Sequence, residues 1–333
     1  MRKESLQNQY TTGRFTLPVV YFIGILCWVI SALLTPNSYY PFSSNNPIWN
    51  LIQWEYTPWW INQITAYCFL TLVGYLLIRL NNQFTIITQR ATVQSTLYLL
   101  FVASIPQIHM FQPSHLATLC FLLCTYSLFY AYKDSDSMYL QFYGGVFASM
   151  TFLAIPKLIL LLPLVLISKI IFNNLNIRTF LASLLGFILP LWFLAAHALW
   201  HDQLELLYYP FKELISWNII HEYSSLELNT LATFIYFSVV SIISSIYLLF
   251  SEAKMRVRTR HMLNHLNRLS FGLVLIAVFS PKLLFELIPI WTACISLIYG
   301  YVLVTIHNKL TNLIFISSIT LLTALFVYNL WTL

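Results

Sequence analysis

Apolar runs long enough to cross a bilayer follow one another along this chain, with little between them but short polar turns. A span needs about 20 apolar residues. Such runs lie near 16–35, 59–80, 92–108, 113–132, 139–156, 157–172, 179–200, 229–250, 267–281, 283–304 and 310–331. Within lipid each run must satisfy its own backbone hydrogen bonds, and helices do so. The expected fold is therefore all-α: a polytopic transmembrane helical bundle of about eleven spans, residues 1–333 forming a single transmembrane domain. Composition agrees. Only 8% of the residues are charged and 59% are hydrophobic, whereas a soluble domain carries roughly 25% charged residues.

Charge gives the orientation. With the N-terminus in the cytoplasm and the spans alternating, all but three of the 17 Lys and Arg residues fall on the inner side. The exceptions are Lys157, Lys212 and Lys282. Acidic residues lean outward: Glu55, Asp202, Glu205, Glu213, Glu222, Glu227 and Glu286. This is the positive-inside pattern of a multi-pass protein of a bacterial cytoplasmic (inner) membrane. It also accounts for the net charge of +6, so no nucleic-acid partner is expected. The first run, Leu17 to Leu34, follows Arg2, Lys3 and Arg14 and reads as a retained span rather than a cleaved leader. Five cysteines lie inside apolar runs without metal-ligand spacing and read as packing residues.

Two outer loops and one inner loop stand out. Residues 36–58 carry NPIWNLIQWEY, which suits a short amphipathic helix on the outer leaflet. Residues 201–228 carry HDQLELLYYPFKELI, where Leu204, Leu207, Tyr208 and Phe211 can share an apolar face. The inner loop 251–268, SEAKMRVRTRHMLNHLNR, is strongly basic. It reads as an anchor on anionic lipid, or as a handle for a cytoplasmic protein partner. Glycine is scarce, at 8 residues, and the chain breaks at proline instead.

Three outer turns are almost without loop: Ile105-Pro106 through Gln112-Pro113-Ser114-His115, Ile155-Pro156-Lys157, and Ser280-Pro281-Lys282. The last two echo one another, as PKLILLLP and PKLLFELIP. Proline suits the first turn of a helix, and a lysine beside the free N–H groups there makes an anion site. Lys157 and Lys282, with His109 and His115 near in topology, are thus candidates to hold a lipid-linked phosphate. The plainer readings are lysines that snorkel to water and histidines that satisfy helix ends. Glu286 follows Lys282 by one turn and can pair with it. His197 and His201 stand at i and i+4 but lack a third metal ligand.

The stretch of residues 60–195, with NNQFTIITQR, FQPSHLATLCFLLCTYSLFYAYK, FYGGVFASMTFLAIPKLILLLPLVLIS and FLASLLGFILPL, resembles the GT-C superfamily of polytopic glycosyltransferases in topology and Leu/Pro pattern. It is similar as well to bacterial multi-span membrane proteins of this length. The GT-C resemblance implies a donor sugar carried on polyprenyl phosphate. It also implies an acidic base or ligand of a divalent metal in the first outer loop. The only acid in that loop is Glu55, so the resemblance puts the base there, with Asp202 and Glu205 second. A carboxylate suits the role because the acceptor hydroxyl loses its proton as the bond forms. Two other functions fit the same residues: a non-catalytic lipid carrier or flippase, and a membrane scaffold or assembly subunit.

Overall fold

The computed structural model describes residues 6–34, 57–87, 92–134, 136–215, 223, 226–251, 255–306 and 308–332. Among them there is no strand. The helices, in chain order, are α1 (Leu6–Thr12), α2 (Thr16–Leu34), α3 (Trp59–Phe84), α4 (Val93–Ala103), α5 (Pro113–Tyr130), α6 (Met138–Ala154), α7 (Leu162–Ile171), α8 (Ile177–Trp200), α9 (Glu205–Ile215), α10 (Leu228–Ser251), α11 (Val257–Phe279), α12 (Leu284–Thr305) and α13 (Lys309–Trp331). Seven of them, with the turn before α12 counted in, are long and apolar enough to cross a membrane: α2, α3, α8, α10, α11, α12 and α13. That set fits a multi-pass integral membrane protein.

The shorter members explain part of the gap between the seven helices that qualify and the about eleven spans that the apolar runs suggested. The run 92–108 yields an α4 of only 11 residues, and 157–172 yields an α7 of 10. At ~1.5 Å per residue neither reaches across a ~30 Å hydrocarbon core. In both runs proline takes residues out of the α-helix. Ile105, Ile155 and Ser280 are each non-helical, with ψ of 92°, 97° and 74°, as the ring of a following proline favours. Pro106, Pro156 and Pro281 then each open a short 3₁₀ turn. Three proline tips thus share one local construction, including the first, whose sequence does not resemble the other two.

Helix α12 is the central post. It is buried along nearly its whole length and packs against α4, α5, α10 and α11. Trp291 on α12 is fully buried, and its indole donates to Ser270 Oγ on α11 at 3.0 Å. Ser270 in turn meets Ser241 Oγ on α10 at 2.8 Å. With lipid outside, apolar burial drives no association between helices, so close packing and such bonds, worth ~0.6–2 kcal/mol each, hold the bundle. Helices α2, α8 and α13 expose apolar faces instead, as a lipid-facing perimeter does.

The two fully packed glycines on α6 and α8 show how few small residues close packing needs. A Cβ on Gly145 would run into the Ser183 carbonyl oxygen, and one on Gly186 into the Phe142 carbonyl oxygen. Both glycines let the α6 and α8 backbones approach closely.

At the end opposite the tips, α1 plugs the turn between α12 and α13. Gln7 Nε2 donates to the carbonyls of Leu303 and Ile306, both at 2.8 Å, and Gln7 Oε1 accepts from Thr311 Oγ1 at 3.0 Å. The basic segment 251–268 is helical from Val257, so most of it forms the first turns of α11. Arg258 there lies over the rings of Phe84 and Tyr132, at 5.3 and 5.8 Å.

Candidate functional site

The second and third proline tips meet. Lys157 is 5% exposed, and its Nζ donates to Ser280 Oγ at 2.8 Å. Ser280 is the residue immediately before Pro281, so the two Pro-Lys-Leu turns are joined through one side chain from each. Lys157 also faces acids. Glu213 feels Lys157 electrostatically and is hydrogen-bonded by Tyr209. Glu286 feels both Glu213 and Lys157. One ammonium and two half-buried carboxylates therefore share the space beneath α9. Burial raises the Glu213 pKa above the ordinary carboxylate value, against the lowering effects of Tyr209 and Lys157.

Helix α9 delivers Glu213 to this cluster by the face it turns inward. It packs on α8 and on the Pro156 tip, and Leu206 and Pro210 are buried. Glu213 follows them on that side at helical spacing. The expected apolar face lies elsewhere: Leu204, Tyr208 and Phe211 are 46%, 64% and 45% exposed. A helix at a bilayer surface turns its apolar residues to lipid and its polar ones to the protein. The segment 201–228 holds a helix over Glu205–Ile215, and the side it turns to the protein carries Glu213.

Lys282 is exposed on the third tip. Glu286, one turn further along, takes its electrostatic partners from Glu213 and Lys157. Asp202 and Glu205 are exposed at the corner between α8 and α9, Asp202 in left-handed backbone at φ 54°. Glu55 and most of the loop 36–58 lie outside the described residues. The rings of His197 and His201 sit 4.4 Å apart. No group of three or more His, Cys, Asp or Glu positioned for a metal occurs among the described residues.

The first tip is a second polar centre. His109 is 1% exposed and its ring stacks on Trp28 at 3.6 Å. Trp28 Nε1 donates to the His109 carbonyl at 3.2 Å, and Phe111 N–H donates to Asn62 Oδ1 at 2.7 Å. Gln112 N–H donates to His115 Nδ1 at 3.2 Å. In that tautomer the proton is on Nε2, which is buried beside the Ile108 backbone without a well-formed hydrogen bond. The side-chain nitrogen and oxygen of Gln107 and Gln112, the Oγ of Ser114 and both ring nitrogens of His109 are also without a well-formed hydrogen bond. Native interiors leave few such groups unmet. Here they crowd into residues 107–115, a place suited to ordered water or a polar ligand group. Burial drives the His109 pKa down to about 3, partly offset by the nearby backbone of Ala103 and Val102.

The proline tips and their lysines are visible in the sequence, whereas Glu213 is not. The signal for it would have been one acid on the Pro210 side of an otherwise apolar helix. No family model, curated protein or solved structure matches the chain.

Proposed function

We propose that this is a GT-C-like transferase of a bacterial cytoplasmic membrane, its N-terminus inside and its proline tips at the outer face. It would move or polymerise sugars carried on polyprenyl phosphate. The observation that carries the reading is the convergence of Lys157, Glu213 and Glu286 beneath the amphipathic helix α9. The positive-inside distribution supports that orientation. Adding α5, α6 and the short arms α4 and α7, whose tips would stop below the outer headgroups, gives about eleven arms in that orientation.

The chemistry needs a base, a cation and a water-poor site. Two carboxylates close together cannot both ionise freely, so one holds a proton while the other accepts one. In the proposed step, the ionised member of the Glu213–Glu286 pair takes the acceptor hydroxyl proton. The hydroxyl oxygen bonds to the anomeric carbon. The bond from that carbon to the phosphate oxygen breaks, and its electron pair leaves with polyprenyl phosphate. Lys157 balances the carboxylates, and exposed Lys282 meets the departing phosphate. The exposed Tyr208 and Phe211 offer rings at the level where the sugar enters.

The test is transfer by the reconstituted protein from a synthetic polyprenyl-phosphate-linked hexose to a glycan acceptor, read as released polyprenyl phosphate. Release is expected, reduced about a hundredfold or more by Glu213→Gln or Glu286→Gln. No release by the wild type would turn the reading toward a carrier or scaffold.

A further inference from the structure

At the end away from the proline tips, a cavity of about 280 Å³ opens between α5, α6, α7 and α8. Its wall includes Cys124, Leu128, Gln141, Gly145, Lys169 and Ser183. The rim is apolar and outward-facing: Leu166, Phe180 and Leu184 are 36%, 43% and 43% exposed. The mouth therefore looks sideways into the bilayer.

The Ser127 and Ser183 hydroxyls in this wall donate to their own helices, which leaves Lys169 and Gln141 as the donors facing the cavity. Lys169 is 8% exposed, in the last turn of α7. Its one electrostatic partner among the described residues is the Cys124 thiol, and no carboxylate lies beside it. Gln141 is 3% exposed, and its Nε2 has no hydrogen-bond partner. The titratable groups facing the cavity are Lys169 and Cys124. His265 faces a side recess behind Cys124 and Leu128, where Ser168 Oγ occupies its Nδ1 at 2.6 Å. An ammonium in such surroundings is costly unless an anion meets it.

Depth and chemistry agree on the occupant. Lys169 ends α7, Gln141 lies in the first turn of α6, and Phe180 and Ser183 lie in the first two turns of α8. These positions fall near the boundary between headgroups and acyl chains. We propose that the cavity is a binding site for an anionic phospholipid. Its phosphate accepts from Lys169 Nζ and Gln141 Nε2, and an acyl chain fills the apolar wall. The site is separate from the proline-tip cluster and does not depend on the transferase reading.

The experiment is native mass spectrometry of the full-length protein in detergent. It is titrated with an equal mixture of phosphatidylglycerol and phosphatidylcholine of matched chains. The wild type should retain one phosphatidylglycerol with a preference of about tenfold. Lys169→Arg should keep the preference, and Lys169→Met should bring it down to parity. Ala148→Phe, which fills the cavity from α6, should remove that last lipid whatever its headgroup. Equal retention of both lipids by the wild type would overturn the proposal. So would a preference unchanged in Lys169→Met, or in Ala148→Phe should Lys169→Met fail to fold. Displacement of the retained lipid by millimolar inorganic phosphate would overturn the lipid assignment, and its persistence would support it.

Discussion

Lys157 Nζ donates to Ser280 Oγ at 2.8 Å, tying together two proline turns separated by 123 positions in the chain. The bond places a buried ammonium where the carboxylates of Glu213 and Glu286 also converge. None of the three groups is well placed alone.

Lys157→Met should therefore destabilise the protein strongly. Removing the buried ammonium leaves the ionised carboxylate unmatched and should cost up to about 3 kcal/mol, less than for a fully buried pair because both carboxyls are half-buried. Adding Glu213→Gln and Glu286→Gln should recover part of the loss. Thermal unfolding in detergent would show it, and additive losses would mean that the three groups do not interact.

The histidine of the first tip should make stability depend on pH. The His109 pKa lies at about 3 in the fold against an ordinary 6.5. A depressed folded pKa means that this stability is present above pH 6.5 and is lost as pH falls from there toward 3. Between pH 6.5 and 5 the loss should be about 2 kcal/mol. Comparing melts of the wild type with His109→Phe, which preserves the stack on Trp28, isolates this contribution. Equal slopes in the two proteins would contradict it.

Glycine substitutions should separate close contact from simple scarcity. Gly145→Ala drives a methyl into the Ser183 carbonyl oxygen and should cost about 1–3 kcal/mol. At Gly24 the nearest atom to an added Cβ is Tyr67 Oη, at 3.6 Å, so Gly24→Ala, inside a helix, should be neutral to stabilising by up to about 1 kcal/mol. Melting temperatures of the two variants check this directly.

Helix α1 should matter more than its length of seven residues suggests. Gln7→Leu removes the donors to the Leu303 and Ile306 carbonyls and the acceptor for Thr311. A loss of about 1–3 kcal/mol is expected, with faster proteolysis at the turn between α12 and α13. Unchanged digestion would show that α1 does not hold that turn.

What the sequence made legible follows from local physics. Proline constrains its own φ and the residue before it, so Pro106, Pro156 and Pro281 mark tips before any packing is known. Apolar runs mark helices, but they did not reveal that α4 and α7 stop short, because the 3₁₀ turns that shorten them are as apolar as the helices. The inward turn of Glu213 was hidden for a different reason. Leu204, Tyr208 and Phe211 marked an apolar face, but only docking on α8 and the Pro156 tip fixes which residues of α9 turn inward. The role of Gln7 was likewise invisible, since α1 is polar and is held through hydrogen bonds rather than an apolar stripe. Glu55, the base expected in the first outer loop, lies outside the described residues.

The most direct test of the lipid-linked substrate is native mass spectrometry of the purified protein titrated with polyprenyl phosphate, beside the Lys157→Ala/Lys282→Ala double variant. Specific binding to the wild type that is lost in the double variant is the predicted result. Equal binding to both proteins, or none to either, would contradict a phosphate-handling site at the joined tips.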